Sequence, residues 1–201
     1  MSQEANIQGD PYLYPDTSVL RNLADIRDAN RLNQFESDHF FARLLELHEN
    51  PIRGSFDSDH LRHIHKYVFQ DVYAWAGEFR TVPIAKGNSF FARPEHIRGE
   101  LQKLFHQLAG EQYLRENDST GFCQRTAHYL AEINALHPFR EGNGRAQREF
   151  IRELAVESGY EIAWDLVTQD EMFAASVASF HGGSSEAFAT ILNKIVVLRK
   201  V

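Results

Sequence analysis

His137-Pro138-Phe139-Arg140-Glu141-Gly142-Asn143-Gly144-Arg145-Ala146-Gln147-Arg148 is the most informative stretch of the 201-residue chain. Pro138 restricts the backbone of the residue before it, so a helix arriving from upstream should end at His137. The loop Phe139 to Gly144 carries two glycines, which let a ligand approach the main chain closely. A helix then begins, and its first turn presents unpaired N–H groups and partial positive charge. Arg145, Arg148 and Arg152 are spaced i, i+3, i+7 and share one face of it. Ala146, Phe150, Ile151, Leu154 and Ala155 take the other side. A helix N-terminus flanked by arginines is a phosphate-binding arrangement. Glu141 is a hard oxygen ligand suited to Mg2+, which usually arrives with substrate phosphates. His137 is a natural general base near neutral pH. Base, metal ligand and arginines around one anion hole point to nucleotide or phosphoryl chemistry.

Working outward, helical periodicity dominates. The helix before the motif opens at Asp118 or Ser119, with Phe122, Ala127, Leu130 and Ile133 inward. The helix after it closes at Gly159. Pro94 suits the first turn of another helix, which carries Ile97, Leu101, Leu104, Phe105 and Leu108 and ends at Gly110. Ser58 or Asp57 caps a helix predicted to reach Ala76, with Leu61, Ile64, Val68, Val72 and Trp75 buried and Gly77 as its stop. Residues 29–48 carry a further apolar stripe: Leu32, Phe40, Leu44 and Leu47. Residues 79–92 break the pattern. Phe79, Thr81, Val82 and Ile84, the turn Lys86-Gly87-Asn88-Ser89 and then Phe90-Phe91 predict a short β-hairpin. Thr168 and Glu171 form a capping box. Gly182-Gly183 precedes a last helix bearing Phe188, Ile191, Ile195 and Leu198. The fold class is mostly α: a helical core with one small hairpin. We expect one domain over 1–201. Its parts are an N-terminal helical part at about 1–56, a core at 57–160 and C-terminal helices at 161–201.

Composition narrows the function. Lys and Arg number 21 and Asp and Glu 28, for a net charge of −7. Such an acidic total disfavours a broad nucleic-acid surface. The acidity lies away from the motif: residues 1–50 hold nine acids against four arginines. No apolar run approaches the ~18 residues of a membrane span. MSQEANIQGD has no basic start and no apolar core, so no signal peptide is expected. The single cysteine, Cys123, leaves no internal disulfide and suits the cytoplasm. It falls on an apolar helix face, as a core residue. Trp75 and Trp164 read as packing residues. His60, His63 and His65 form an HxxHxH pattern, but on a helix the third is rotated away from the second. We expect no metal there.

Residues 137–148 match the Fic motif, HPFx[D/E]GNGRxxR, at every fixed position. Residues 65–80, H-x-x-x-F-x-D-V-Y-x-W-A-G-x-x-R, resemble the helix-to-flap segment of Fic domains. Asp10-Pro-Tyr-Leu-Tyr-Pro15 with Leu20-Arg21-Asn22 resembles the start of bacterial Fic toxins and effector domains. The resemblance covers most of the chain and implies the Fic fold, a helical bundle with a hairpin flap. It implies adenylylation: AMP passes from ATP to a Tyr, Ser or Thr hydroxyl of a target protein, and pyrophosphate leaves. In that scheme His137 is the base, and Glu141 holds Mg2+ across the α- and β-phosphates. Asn143 and the amides of Gly142 and Gly144 stabilise the α-phosphate. Arg145 binds the β-phosphate and Arg148 the γ-phosphate. Phe139 anchors the loop in the core. The flap docks the target by strand addition through Val82 and Ile84, and Lys86 at its tip contacts substrate or phosphate.

Fic enzymes are commonly inhibited by an [S/T]xxxE[G/N] helix whose glutamate takes the second motif arginine, here Arg148. Glu49, Glu116 and Glu141 precede Gly or Asn, but Leu45, Gln112 and His137 stand four residues before them. The expected inhibitor is therefore a separate small antitoxin, and the chain a toxin. By resemblance its target is DNA gyrase and topoisomerase IV. Two alternatives are kept. One is transfer of another nucleotide or of a phosphate group, although the phosphate-transferring Doc branch has Lys where this chain has Gly144. The other is a catalytically silent binding module. The chain ends on a helical pattern, so it is expected to be either a whole cytoplasmic toxin or the front of a longer effector delivered into a target cell.

Overall fold

The computed structural model describes residues 9–86 and 89–199, with main chain alone at Lys86 and Ser89. Helix α4 (Ser119–Leu136) is the hub. It packs on α3 (Pro94–Gly110), α5 (Asn143–Glu157), α6 (Gln169–Gly182) and α7 (Glu186–Ile195). Helix α2 (Ser58–Phe69) fills the other side, against α1 (Ala29–Glu49), α3 and α5. Phe122, Cys123, Ala127, Leu130 and Ile133 of α4 are all buried, as their spacing demands. Helices α1, α2 and α4 are capped by aspartates: Asp28 accepts from Arg31 N–H, Asp57 from His60 N–H and Asp118 from Gly121 N–H. Thr168 and Glu171 close a reciprocal capping box on α6. Among the described residues, no helix is long and apolar enough to cross a membrane.

Three elements differ from the sequence expectations. Helix α2 stops at Phe69, not Ala76. In a continuing helix the Val72 carbonyl would accept from Ala76 N–H. Here it accepts from Leu23 N–H at 2.9 Å, and Ala76 N–H turns to Tyr73. The N-terminal arm thus ends the helix, and Gly77 (φ +83°) closes the turns that follow. The hairpin is shorter than residues 79–92. Its regular pairing joins β1 (Ala85–Lys86) to β2 (Ser89–Phe90), with Ala85 opposite Phe90. Pro83 has no N–H to give, and the carbonyls of Val82 and Ala92 are taken by the Arg80 side chain. The turn at Gly87-Asn88 lies outside the described residues. Finally, the last helix ends at Ile195. Val196–Leu198 form β4, antiparallel to β3 (Tyr160–Ile162). The β-branched pair Val196-Val197 favours extended backbone there.

Candidate active site

His137 sits at the C-terminus of α4 with φ 47° and ψ 62°, a left-handed conformation that costs a non-glycine residue about 1–2 kcal/mol. Its N–H still closes the helix on the Ile133 carbonyl at 2.9 Å, and Pro138 forbids another turn. The residue is 7 % exposed. Its ring stacks on Phe91, with centroids 3.9 Å apart and planes at 16°. Its carbonyl accepts from Arg80 Nε at 2.7 Å. Burial draws Arg80 down to about 10, which leaves it a cation at neutral pH.

The loop after His137 is held from four directions. Asn143 Oδ1 accepts from Phe139 N–H and its amide donates to the Phe139 carbonyl, both at 2.7 Å. This reciprocal staple makes the Asn143 side chain, 5 % exposed, a closure of the loop beside the α-phosphate position expected of it. Phe139 is buried, as expected of an anchor, and stacks on His65 at 3.8 Å. His65 Nδ1 accepts from Gly77 N–H at 2.9 Å, so its proton sits on Nε2, which donates to the Glu141 carbonyl at 3.0 Å. Burial pushes this histidine down to about 4, so it is a neutral strut at physiological pH. From the N-terminal arm, Asp10 pairs with buried Arg140 at 3.0 Å. Tyr12 packs edge-on against Trp75, and its hydroxyl accepts from Thr81 N–H.

Helix α5 opens at Gly142 (φ +78°), so the amides of residues 143–145 face outward without intrahelical acceptors. The Glu141 carboxylate lies across this opening, accepting from Gly142 N–H at 2.8 Å and lying 3.5 Å from Arg145 Nη2. The Arg145 guanidinium lies over the rings of Phe69 and Phe40 and donates to Glu36 at 2.5 Å. Glu36, on α1, also accepts from the Tyr73 hydroxyl. Burial and the Glu36 charge raise the Tyr73 pKa, so the phenol stays protonated as the donor. Arg148 is half-buried. Burial and the neighbouring Arg145 lower its pKa, and among the described residues no carboxylate pairs with it. A Cβ on Gly144 would meet only Arg148 Nη1, at 3.5 Å, so the space beside these arginines is open. Bare helix amides, an unneutralised cation and a bare Cα make a cradle for a polyphosphate. A carboxylate at its rim suits Mg2+.

Arg152 does not join this face. Glu149 takes its guanidinium at 2.7–3.0 Å, within a cluster where His48 meets buried Glu149 and buried His60 meets Glu153. His60 and His65 are therefore spent on separate partners, and His63 is exposed. Of the flap residues, Val82 is half-buried and Ile84 is 7 % exposed, its side chain turned inward. Phe90, 78 % exposed, is the apolar side chain the flap shows to solvent. The Lys86 side chain lies outside the described residues. Sequence reasoning missed Glu36, His65, Arg80 and Asp10 as parts of the site. His65 and Arg80 stood in the matched pattern as letters without a role; Glu36 carried no signal beyond being an acid on the apolar side of α1.

A family profile described as "Fic/DOC family" matches residues 55–155. The chain is 48 % identical over 195 residues to "Protein adenylyltransferase VbhT" of Bartonella schoenbuchensis, covering 96 % of this chain but 41 % of that relative. It is 40 % identical over 191 residues to a "Probable protein adenylyltransferase" of Sinorhizobium fredii, covering 94 % and 98 %. The solved N-terminal Fic domain of a VirB-translocated effector from Bartonella quintana, with bound ADP, superposes with a TM-score of 0.88 at 27 % identity, covering 94 % and 95 %.

Proposed function

This chain belongs to the Fic/DOC family, and on that premise we propose that it is a protein adenylyltransferase, moving AMP from ATP to a hydroxyl of a target protein. The observation that carries this reading is Arg148: a half-buried cation without a carboxylate partner among the described residues, beside bare helix amides and one loop away from a histidine. An anion of several charges fits there, and nucleotides are what the family resemblance supplies.

In this scheme His137 accepts the hydroxyl proton while the target oxygen bonds to the α-phosphorus. The bond from that phosphorus to the bridging oxygen breaks, and pyrophosphate leaves. The α5 N-terminal amides take the charge that builds on the α-phosphate. Arg145 and Arg148 hold the β- and γ-phosphates, and the Asn143 staple keeps the loop in shape for them. Glu141 would hold Mg2+, which when bound supplies further positive charge against the phosphates. The chain itself lays the target segment along the flap by main-chain pairing, with Phe90 as an apolar contact. The same reading extends to regulation. We take the chain to be a toxin restrained by a separate small antitoxin bearing an [S/T]xxxE[G/N] helix. DNA gyrase and topoisomerase IV are the first targets to try. The site of action is the cytoplasm, its own or that of a cell into which it is delivered.

Incubation with Mg2+, α-labelled ATP and bacterial lysate should transfer label to protein, and γ-labelled ATP should not. His137→Ala should lower the rate by about 100-fold or more. Label from the γ-position, or full activity in that variant, would overturn the reading.

A further inference from the structure

Something must hold His137 in a backbone conformation that favours glycine, and helix α4 supplies one hydrogen bond toward that end. Further contacts come from the two stems of the flap. Arg80, on the incoming stem, is 2 % exposed and makes no ion pair among the described residues. Its guanidinium instead donates to four carbonyls: His137 at 2.7 Å, Leu136 at 3.1 Å, Val82 at 2.8 Å and Ala92 at 2.5 Å. The first two lie at the C-terminus of α4, where carbonyls have no intrahelical donor. The last two lie on either side of the hairpin. The negative end of the helix dipole offsets the buried charge, which a carboxylate would otherwise have to do. Two main-chain bonds reinforce the joint: Arg80 N–H to the Pro138 carbonyl at 2.9 Å, and Ala92 N–H to Ala135 at 3.3 Å. Phe91, on the outgoing stem, lies flat on the His137 ring and is backed edge-on by Phe180 of α6.

We propose that Arg80 and Phe91 are positioning residues for His137: the flap stems, rather than α4 alone, set the place and tilt of the imidazole. Arg80 fixes its main chain and Phe91 fixes its ring. The proposal rests on the reading of His137 as the general base. A planar fork with four of its five N–H groups engaged cannot be replaced by an ammonium, which lacks both the reach and the geometry. The flap is thereby one mechanical unit with the base, and a target strand laid on the flap is registered against the imidazole. The nucleotide cradle on α5 is held by other contacts and should not feel the loss.

The test uses the whole chain with Arg80→Lys and, because a buried arginine change can unfold the protein, Phe91→Leu at a half-buried position. ATP affinity is measured by calorimetry. Initial rates of AMP incorporation are measured with bacterial lysate as acceptor. The ring resonance of His137, assigned by its disappearance in His137→Ala, is followed by NMR. We expect the maximal rate to fall about 10- to 100-fold in either variant. ATP affinity should stay within about twofold, and the His137 ring signal should shift. A matching loss of ATP affinity would mean a general structural role and would overturn the proposal, as would an unmoved ring signal in both variants. If the wild type transferred no AMP, the reading of the base would fall, while the ring signal would still decide whether the stems hold the histidine.

Discussion

A Cβ built on Gly142 would lie 2.3 Å from the Phe69 ring, and the residue has φ +78°. The same atom on Gly144 would touch only the far end of Arg148, at ordinary contact distance. The fold therefore demands the first motif glycine, and the proposed function gives the second to the ligand. Gly142→Ala should lower stability by about 2–4 kcal/mol, from left-handed strain plus overpacking. Gly144→Ala sits in the first turn of α5, where alanine improves helix propensity by up to ~1 kcal/mol. It should leave the melting temperature unchanged or raised, and weaken ATP binding about tenfold, or ~1.4 kcal/mol. Thermal unfolding and calorimetry on both variants separate the two. If Gly144→Ala bound ATP like wild type, the open face would not be the phosphate cradle.

At the scale of elements, the histidine of α2 ties the motif loop to the turn after it. His65 holds one proton and uses both ring nitrogens, toward Gly77 N–H and the Glu141 carbonyl. Its folded pKa, about 4, lies below the ordinary value of 6.5. The unfolded chain therefore binds the extra proton first as pH falls. Its contribution is full above pH 6.5 and is lost progressively toward pH 4, on the order of 3 kcal/mol in all. Urea midpoints should thus fall across that window, and His65→Gln should flatten this limb while lowering the plateau near pH 7. An equally steep limb in the variant would assign the acid loss to other groups. Signals local to the chain made α3 legible: Pro94 opens it and Gly110 ends it where expected. The end of α2 was not legible, because it depends on Leu23 taking a carbonyl 49 positions along. Arg152 misled for a similar reason. Its helical spacing placed it with Arg145 and Arg148, but Glu149 one turn away claims it within a cluster completed by His48 and His60. The motif itself was legible because its glycines, proline and arginines act within 12 residues.

Across the whole molecule, the site is closed by contacts that join distant segments, and Glu36 is the clearest of these. It brings together α1, the turns after α2 and the first turn of α5, through Tyr73 on one carboxylate oxygen and Arg145 on the other. Neither bond alone explains a buried glutamate; together they satisfy both oxygens and set Arg145 over Phe69 and Phe40. Losing the Tyr73 hydroxyl leaves Glu36 still paired, so Tyr73→Phe should cost about 1 kcal/mol. Losing the carboxylate leaves a buried phenol and a guanidinium with one partner fewer, so Glu36→Ala should cost about 2–3 kcal/mol, below a fully buried pair because Arg145 is partly solvated. In the Glu36→Ala background the phenol is an unsatisfied buried donor, and Tyr73→Phe should then be neutral or stabilising. Denaturant unfolding of both single variants and the double variant reads this as a coupling energy of about 1 kcal/mol or more. Strict additivity would mean that the three segments are held together by apolar packing, with the carboxylate a passenger.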